Sequence, residues 1–292
     1  MMAVPLVATR ESFGLGEGPN WDPVGDSLIW VDISAGTVYR GLFNGDAIVI
    51  AERVQVDSTV GVAIPGPNGN VLVAGARSLF LIDQVGRVAP VGGPLPLPSS
   101  SRLNDGSCDP VGRFYVGSIA LDDRHHGQVL LQIDRDGAAS IVDDNLTLSN
   151  GIAWSPDGQV MYHVDTFARV IWRRDYELST GSYSERSKFV EVDGGLPDGI
   201  DVDLEGCVWV AMYGAGQIRR YSAAGEWVAS VSLPAPNTTC VSFAGPRLDR
   251  LVVSTARDGL DARQLALAPA SGRLFVMDVD TPGSARATWA GF

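Results

Sequence analysis

Four polar side chains of this 292-residue chain lie at the same distance from a glycine turn. Each stands eight residues before the turn glycine. Their carboxylate and amide oxygens are the ligand types that calcium and magnesium prefer, and manganese also accepts them. At one place the register is open between Asn104 and Asp105, because the sequence reads "NDG". Asn and Asp beside Gly are common in turns, so the recurrence is the informative part. The residues and their turn glycines are Glu17 (Gly25), Asn104 (Gly112), Asn150 (Gly158) and Asp198 (Gly206).

A repeat supplies the elements that must position these side chains. Six segments combine a turn with an alternating apolar strand, and their starts are 43 to 48 residues apart. A period of 40 to 50 residues with strand-type alternation is typical of propeller blades. The alternative, a pair of β-sandwiches, needs no such regular repeat. The segments are "DPVGDSLIWVD", "PGPNGNVLVAG", "DPVGRFYVGSI", "SPDGQVMYHVD", "DLEGCVWVAMY" and "GPRLDRLVVST".

The repeat predicts an all-β fold: a six-bladed β-propeller with a central metal-binding channel, formed as a single domain by residues 1–292. Equivalent positions of different blades lie on a ring about the propeller axis. The segment before each turn is the innermost strand, so the four polar residues are expected to meet at the channel mouth. In the second blade the same count from Gly69 reaches Gly61, which has no side chain to offer.

Composition excludes several classes of function. The formal net charge of −12 argues against nucleic acid and anionic membranes as partners, because both would repel the chain. Neither a transmembrane helix nor a signal peptide is expected from the apolar runs, so we predict a cytoplasmic protein. The cysteines are three and widely spaced, which predicts reduced thiols rather than disulfides or a zinc site. No G-x-S-x-G or H-E-x-x-H motif is present.

Other chemically active residues have structural interpretations. His125 and His126 in "DDRHHGQ" are expected in an exposed loop, and His163 in "VMYHVDT" on the core side of a strand. Asp32 and Asp165 end matching strands, and we expect them to organise the blade loops near the channel.

At the four recurring polar residues and the repeat segments around them, the sequence resembles the SMP-30/gluconolactonase/regucalcin-like (LRE) family. The resemblance spans residues 16–256 in the family's order. It implies a six-bladed propeller with one divalent metal ion in the channel, and a hydrolase that opens sugar lactones. The stretches that carry it are "GEGPNWDP", "SRLNDGSCDPVGRFYVGS", "LSNGIAWSPDGQVMYHVDT", "LPDGIDVDLEGCVWVAMYGAGQIRRY" and "CVSFAGPRLDRLVVSTA".

The resemblance also implies a role for each site residue. Glu17, Asn150 and Asp198 would be the metal ligands, and Asp198 would also be the general base. Asn104, rather than Asp105, would touch substrate or bound water, and Arg102 would hold oxygens of the substrate. The ion is expected to be Ca²⁺, with Zn²⁺, Mn²⁺ or Mg²⁺ as alternatives.

The sequence departs from the family pattern in places. Ser107 stands where Lys is common, Tyr115 where Trp is frequent, and the segment "IALDDRHHG" has no clear match. The substrate is therefore the least transferable property. Two alternatives to a lactonase stay open: a phosphotriester (organophosphate) hydrolase that uses the same metal site, and a non-catalytic, calcium-binding regulatory propeller.

Overall fold

The computed structural model of the chain describes residues 3–122 and 124–291. These residues form antiparallel strands, one 3₁₀ helix (Pro67–Gly69) and one short α-helix, α1 (Ala262–Leu267). The strands are β1 (Leu6–Val7), β2 (Gly16–Asp22), β3 (Ser27–Asp32), β4 (Thr37–Asn44), β5 (Ala47–Gln55), β6 (Val62–Pro65), β7 (Val71–Ala74), β8 (Leu79–Ile82), β9 (Val88–Val91), β10 (Ser101–Cys108), β11 (Phe114–Ala120), β12 (Gln128–Ile133), β13 (Ala139–Leu146), β14 (Ser149–Trp154), β15 (Val160–Asp165), β16 (Val170–Glu177), β17 (Ser182–Tyr183), β18 (Ser187–Glu191), β19 (Leu196–Val202), β20 (Val208–Tyr213), β21 (Gln217–Tyr221), β22 (Trp227–Ser232), β23 (Thr238–Ala244), β24 (Arg250–Thr255) and β25 (Phe275–Asp278).

The strands fold into six sheets, which are the blades of a β-propeller, as the repeat predicts. Five blades follow the chain: β2–β5, β6–β9, β10–β13, β14–β18 and β19–β22. The fourth of these has five strands, because β17 and β18 both pair with β16. The sixth blade combines β23, β24 and β25 with the N-terminal strand β1, where Leu6 lies opposite Val276. The two termini of the chain thus close the ring together.

The innermost strands surround the axis. Each contacts the next one, from β2 to β6, β10, β14, β19 and β23, and β23 contacts β2 again. They run in the same direction, since residues near the starts of β2, β10, β14 and β19 line one cavity and the C-terminal segment bonds to the last residues of β6 and β19. We call the end where the innermost strands begin the upper end of the channel, and the end where they turn the lower end.

Strand periodicity explains how the blades pack. In β3 every residue is buried, because successive side chains point to opposite faces and both faces meet a neighbouring blade. Leu28 and Trp30 pack into the cluster shared with the sixth blade, and Trp30 stacks on Tyr39 at a centroid distance of 5.5 Å. Ile29 and Val31 pack into the cluster shared with the second blade. The core is thus a series of apolar layers between adjacent blades.

The C-terminal segment crosses the lower end of the channel. The amide of Ser284 donates to the carbonyl of Val202 at 2.8 Å, and that of Trp289 to Pro65 at 2.8 Å. Between them, the Arg286 guanidinium approaches Asp201, with Nε 3.0 Å from Oδ2. No pattern in the sequence predicts this crossing.

Two further sequence-based predictions concern the chain as a whole. The described residues contain no helix that is both long and apolar enough to span a bilayer. Cys108, Cys207 and Cys240 are free, in agreement with the predicted reduced thiols, and all three are buried.

Candidate metal and substrate site

An irregularity in strand pairing marks the positions of the site residues. Five of the six innermost strands slip in register against their second strand, and such bulges redirect side chains. In β6, the strand without a slip, pairing starts only at Val62. The slips lie between Glu17 and Asn20, Leu103 and Gly106, Ser149 and Ile152, Pro197 and Ile200, and Thr238 and Cys240.

The bulges bring the predicted residues to one cavity of about 280 Å³ at the upper end of the channel. Glu17, Arg102, Asn104, Asn150 and Asp198 all line it. They come from four different blades, so the shared distance from the turn glycine does translate into a shared place in the fold. All five are buried. We call them the floor of the cavity.

Glycines make this convergence sterically feasible. A Cβ on Gly61 would lie 2.1 Å from the backbone oxygen of Asn104, which explains why the second blade carries no side chain at the equivalent position. A Cβ on Gly151 would lie 2.6 Å from the backbone oxygen of Asp198. The innermost strands can approach one another this closely only where the side chain is absent.

The two carboxylates of the floor are held in an unfavourable electrostatic environment. Burial raises the pKa of Glu17 well above its usual value, and the charges of Asp198 and Asp105 raise it further. Burial likewise raises the pKa of Asp198, again with repulsion from Asp105. A hydrogen bond of 2.7 Å from the Gly18 amide to Glu17 Oε2 offsets part of this effect. A cation between the carboxylates would relieve the repulsion.

Asn150 presents an oxygen without a partner. Its Nδ2 donates to Thr166 Oγ1 at 3.1 Å, and Thr166 in turn donates to the carbonyl of Pro197 at 2.9 Å. These bonds fix the orientation of the amide. Its Oδ1 is buried and accepts no hydrogen bond from the described residues. Buried polar atoms of this kind are rare, and two carboxylates nearby complete a set of oxygen ligands that fits a hard divalent cation.

Asn104 and Arg102 form a coupled pair beside that set. Arg102 Nη1 donates to Asn104 Oδ1 at 2.9 Å and to the carbonyl of Leu103 at 2.8 Å. Asn104 Nδ2 donates to the carbonyl of Ser149 at 3.2 Å. The Asn104 oxygen is therefore already engaged, unlike that of Asn150. Burial lowers the pKa of Arg102 to about 10, which leaves the guanidinium charged at neutral pH.

Asp105 lies elsewhere in the channel. It is buried but does not line the cavity, and its Oδ1 accepts from the Gly106 amide at 2.7 Å. Burial raises its pKa to about 6, although the charge of Arg286 from the C-terminal segment lowers it. The open register at "NDG" thus resolves with Asn104 at the cavity and Asp105 outside it. The sequence pattern assigns no role to the Asp105 carboxylate.

Asp32 and Asp165 hold the segments that lead into the floor. Asp32 accepts from the amides of Gly14, at 2.9 Å, and Leu15, at 3.1 Å. Asp165 accepts from the Thr147 hydroxyl and from the amide of Thr147 at 3.0 Å. The carboxylates therefore organise loops near the channel, as their strand-end positions indicate.

The histidines have no part in the floor. His125 and His126 are exposed, and His125 contacts the ring of Phe167 at a centroid distance of 4.2 Å. His163 is buried behind the floor, with Nε2 2.8 Å from Ser149 Oγ. Burial lowers the pKa of His163 to about 3, so the ring is neutral at physiological pH. Ser149 and His163 thus support the strand that carries Asn150.

Sequence analysis missed the residues above the floor. The remaining lining consists of residues from eight segments of the chain, most of them apolar. A signal was present: three leucines stand two residues before a floor residue, and side chains at that spacing share a face of a strand. The lining above the floor comprises Leu15, Ile33, Ile119, Leu148, Thr166, Phe167, Leu196, Tyr213, Asp258 and Gly259. We call this set the wall.

A second cluster of potential ligand atoms lies at the turn of the fifth blade. Ligand atoms of Asp203, Glu205 and Cys207 come within 4.8 Å of one another. Both oxygens of Asp203 are engaged, however: Oδ1 accepts from the Cys207 amide at 3.0 Å, and Oδ2 from Trp209 Nε1 at 2.8 Å. Arg220 also pairs with Asp203 at 2.7 Å. This cluster stabilises a turn and is not the predicted site.

Comparison with known proteins identifies the family. The family model for the SMP-30/gluconolactonase/LRE-like region matches residues 15–257. The chain belongs to this family.

Individual relatives match over nearly the whole chain. A 6-deoxy-6-sulfogluconolactonase of Pseudomonas putida is 33% identical over 285 residues, which cover 97% of each chain. A regucalcin of Danio rerio is 31% identical over 271 residues, which cover 91% of each. The crystal structure of a regucalcin from Agrobacterium tumefaciens, described as a calcium-binding protein, superposes with a TM-score of 0.88 at 25% identity and covers 100% of this chain and 98% of that one. Together these matches indicate a gluconolactonase- or regucalcin-like function.

Proposed function

We propose that this protein is a divalent-metal-dependent lactonase that opens sugar lactones, and that residues 1–292 act as one propeller domain. The observation that carries the proposal is the buried Asn150 Oδ1, which has no hydrogen-bond partner among the described residues and lies in a cavity with two repelling carboxylates and a buried arginine. A protein that needed these groups only for stability would have paired them.

Glu17, Asn150 and Asp198 would hold the ion. Three oxygen donors, two of them carboxylates, favour Ca²⁺, with Mg²⁺, Mn²⁺ or Zn²⁺ as alternatives. Three protein ligands leave coordination positions for water and substrate. When bound, the ion would polarise the lactone carbonyl and stabilise the negative charge that develops on its oxygen.

The floor residues supply the other functions. Asp198 takes a proton from the water that attacks the carbonyl carbon, and returns it to the ring oxygen as the ester bond breaks. The product is the open hydroxy acid. Arg102, charged and held by its bond to Asn104, binds oxygens of the lactone and keeps the ring oriented. Asn104 contacts substrate or bound water beside it.

The wall favours one second candidate. Its apolar side chains suit the ester groups of a phosphotriester, which the same floor residues would hydrolyse by water attack at phosphorus. Rates on a sugar lactone and on a phosphotriester separate the two activities, and we expect the lactone to be the better substrate.

A lactone panel on metal-depleted protein tests the proposal. The protein is treated with chelator, reloaded with Ca²⁺, Zn²⁺, Mn²⁺ or Mg²⁺ in turn, and assayed by proton release. We expect turnover only after reloading, with Ca²⁺ effective. Tight metal binding without turnover of any lactone would instead indicate a calcium-binding regulatory propeller. Turnover that is unaffected by chelation would refute metal dependence.

A further inference from the structure

The residues two positions before the four recurring polar residues are unequal in their chemistry. Leu15, Leu148 and Leu196 stand two residues before Glu17, Asn150 and Asp198, respectively, and Arg102 stands two before Asn104. Residues at this spacing share one face of a strand, and all of these side chains line the cavity. One polar residue and three leucines therefore line the cavity at equivalent positions of four blades.

Second strands extend the apolar surface. Ile119 lies opposite Arg102 in the pairing of β10 with β11, and Tyr213 lies opposite Leu196 in the pairing of β19 with β20. Ile33 and Phe167, which follow β3 and β15, complete the wall. Most of the surface that a ligand meets above the floor is therefore aliphatic or aromatic carbon.

The polar atoms of the wall are already engaged. Thr166 Oγ1 accepts from Asn150 and donates to the carbonyl of Pro197. The Tyr213 hydroxyl accepts from Asn237 Nδ2 at 3.0 Å and lies 3.3 Å from the carbonyl oxygen of Asp258, to which it donates.

The remaining polar group of the wall lies at its edge. The Asp258 carboxylate accepts from the Ser34 hydroxyl, and Asp258 is exposed at the outer rim. Between floor and rim, a ligand hydroxyl would thus lose its water partners beside hydroxyl groups that already donate and accept a hydrogen bond, and only at the rim could it reach the Asp258 carboxylate. Such a loss is unfavourable for a polar group and absent for a methyl group.

We propose that the site selects lactones whose exocyclic arm is alkyl rather than hydroxylated. This inference rests on the proposed function, because it assumes that the lactone carbonyl lies at the floor. With the carbonyl there and the ring hydroxyls beside Arg102 and Asn104, the substituent on the carbon next to the ring oxygen extends toward the leucines. The cavity of about 280 Å³ lies just below the usual range for small-molecule sites, about 300 to 1,000 Å³, which leaves the arm little room away from the wall.

A matched pair of substrates tests this selectivity. D-glucono-δ-lactone and its 6-deoxy analogue differ by one hydroxyl, which the analogue replaces with hydrogen. We expect kcat/KM to be about 10- to 100-fold higher for the deoxy lactone, since a pocket that offers no partner for a hydroxyl discriminates by up to about that factor. An equal rate, or a preference for glucono-δ-lactone, would overturn the inference.

Variants locate the selectivity in the wall. Leu196→Asn places a hydrogen-bonding group above the floor, and we expect it to remove most of the preference for the deoxy lactone. Leu204→Asn is the matched control: it is in the same blade, but Leu204 is 59% exposed at the turn on the lower end. The control should keep the preference. Ile119→Thr, a smaller change on another blade, provides a second test if Leu196→Asn folds poorly. Unchanged selectivity in both wall variants would refute the assignment.

Binding separates this inference from the proposed function. Calorimetry with the non-hydrolysable δ-lactams of the two sugars measures selectivity without turnover. If neither lactone is hydrolysed but the deoxy lactam binds more tightly, the lactonase proposal fails and the selectivity of the wall stands. If turnover occurs without the preference, the lactonase proposal stands and this inference fails. If there is neither turnover nor lactam binding, both fail.

Discussion

The two ends of the channel both bury carboxylates, but among the described residues only the lower end pairs one of them with an arginine in a salt bridge. At the lower end, Asp201 faces the Arg286 guanidinium at 3.0 Å and accepts from the amides of Val202, at 2.9 Å, and Phe243, at 3.0 Å. At the upper end, burial and the charges of Asp198 and Asp105 raise the pKa of Glu17, and burial and the charge of Asp105 raise the pKa of Asp198. The charge of Arg102 offsets part of this effect, but neither carboxylate forms a salt bridge among the described residues. A paired carboxylate stabilises a fold, whereas an unpaired one retains the capacity to bind a cation.

The largest effect that this contrast predicts is on catalysis. Asp198→Asn should lower kcat by about 10²- to 10⁴-fold, because an amide cannot accept the proton of the attacking water. Steady-state kinetics on the metal-loaded variant measure it. Asp201→Asn is the control from the lower end, and its folded fraction should keep kcat near the wild-type value. Near-normal turnover by metal-loaded Asp198→Asn would show that the upper carboxylate is not the base.

The next largest effect is on stability and belongs to the lower end. Arg286→Met leaves Asp201 as a buried charge without its partner, and we expect the free energy of unfolding to fall by about 3 to 5 kcal/mol. Urea denaturation of the metal-free protein measures the loss. The double variant with Asp201→Asn should regain much of it, since no unpaired charge remains. A loss within experimental error in the single variant would mean that this pair is unimportant.

The Asp105 carboxyl, which lies outside the floor and near the charge of Arg286, is expected to make the stability of the fold depend on pH. Burial raises its pKa in the folded protein to about 6, above the usual value near 4. The folded state therefore holds the Asp105 proton more tightly than the unfolded state does. The contribution of this proton to the free energy of unfolding is fully present below pH 4 and is lost as the pH rises through 6. In metal-free protein, Asp105→Asn should be more stable than wild type by about 2 to 3 kcal/mol at pH 7, and by little at pH 4.

Urea denaturation at the two pH values checks this sign. A variant that gains stability equally at pH 4 and pH 7 would contradict the titration argument.

Metal addition gives the smallest of the four effects. A ligand that binds only the folded state stabilises it by RT ln(1 + [L]/Kd), which is about 1.4 kcal/mol at ten times the dissociation constant. We expect Ca²⁺ to raise the melting temperature of wild type and of Asp201→Asn, but not of Glu17→Gln, which lacks one charged ligand. An equal shift in all three proteins would place the ion outside the floor.

Much of the fold was predictable because its information is local. Each blade repeats a turn and alternating strands, so six units of similar length can be counted from the sequence alone. The closure of the sixth blade was not predicted, since β1 is two residues long and its partner β25 lies at the other end of the chain. The five-stranded fourth blade was missed for the same reason, because β17 is equally short.

The site residues likewise divide into those that a local sequence pattern predicts and those that it does not. Glu17, Asn150 and Asp198 were found because a fixed distance from a turn fixes a place on the innermost strand. Arg286 was not found, because nothing near it in the sequence shows that the C-terminal segment crosses the channel. The wall was not found either: a leucine two residues before a ligand looks like any core residue until three of them meet across one cavity.

By itself, the sequence determined the six-bladed repeat, its family, and which polar residues lie at one end of the innermost strands. These follow from strand alternation and turn geometry, which act over a few residues. Only the tertiary structure decided that the Asn150 oxygen is left free while that of Asn104 is bound, and that Arg286 approaches Asp201. Those outcomes depend on partners from distant parts of the chain, and no local pattern encodes which side chains will meet once the ring closes.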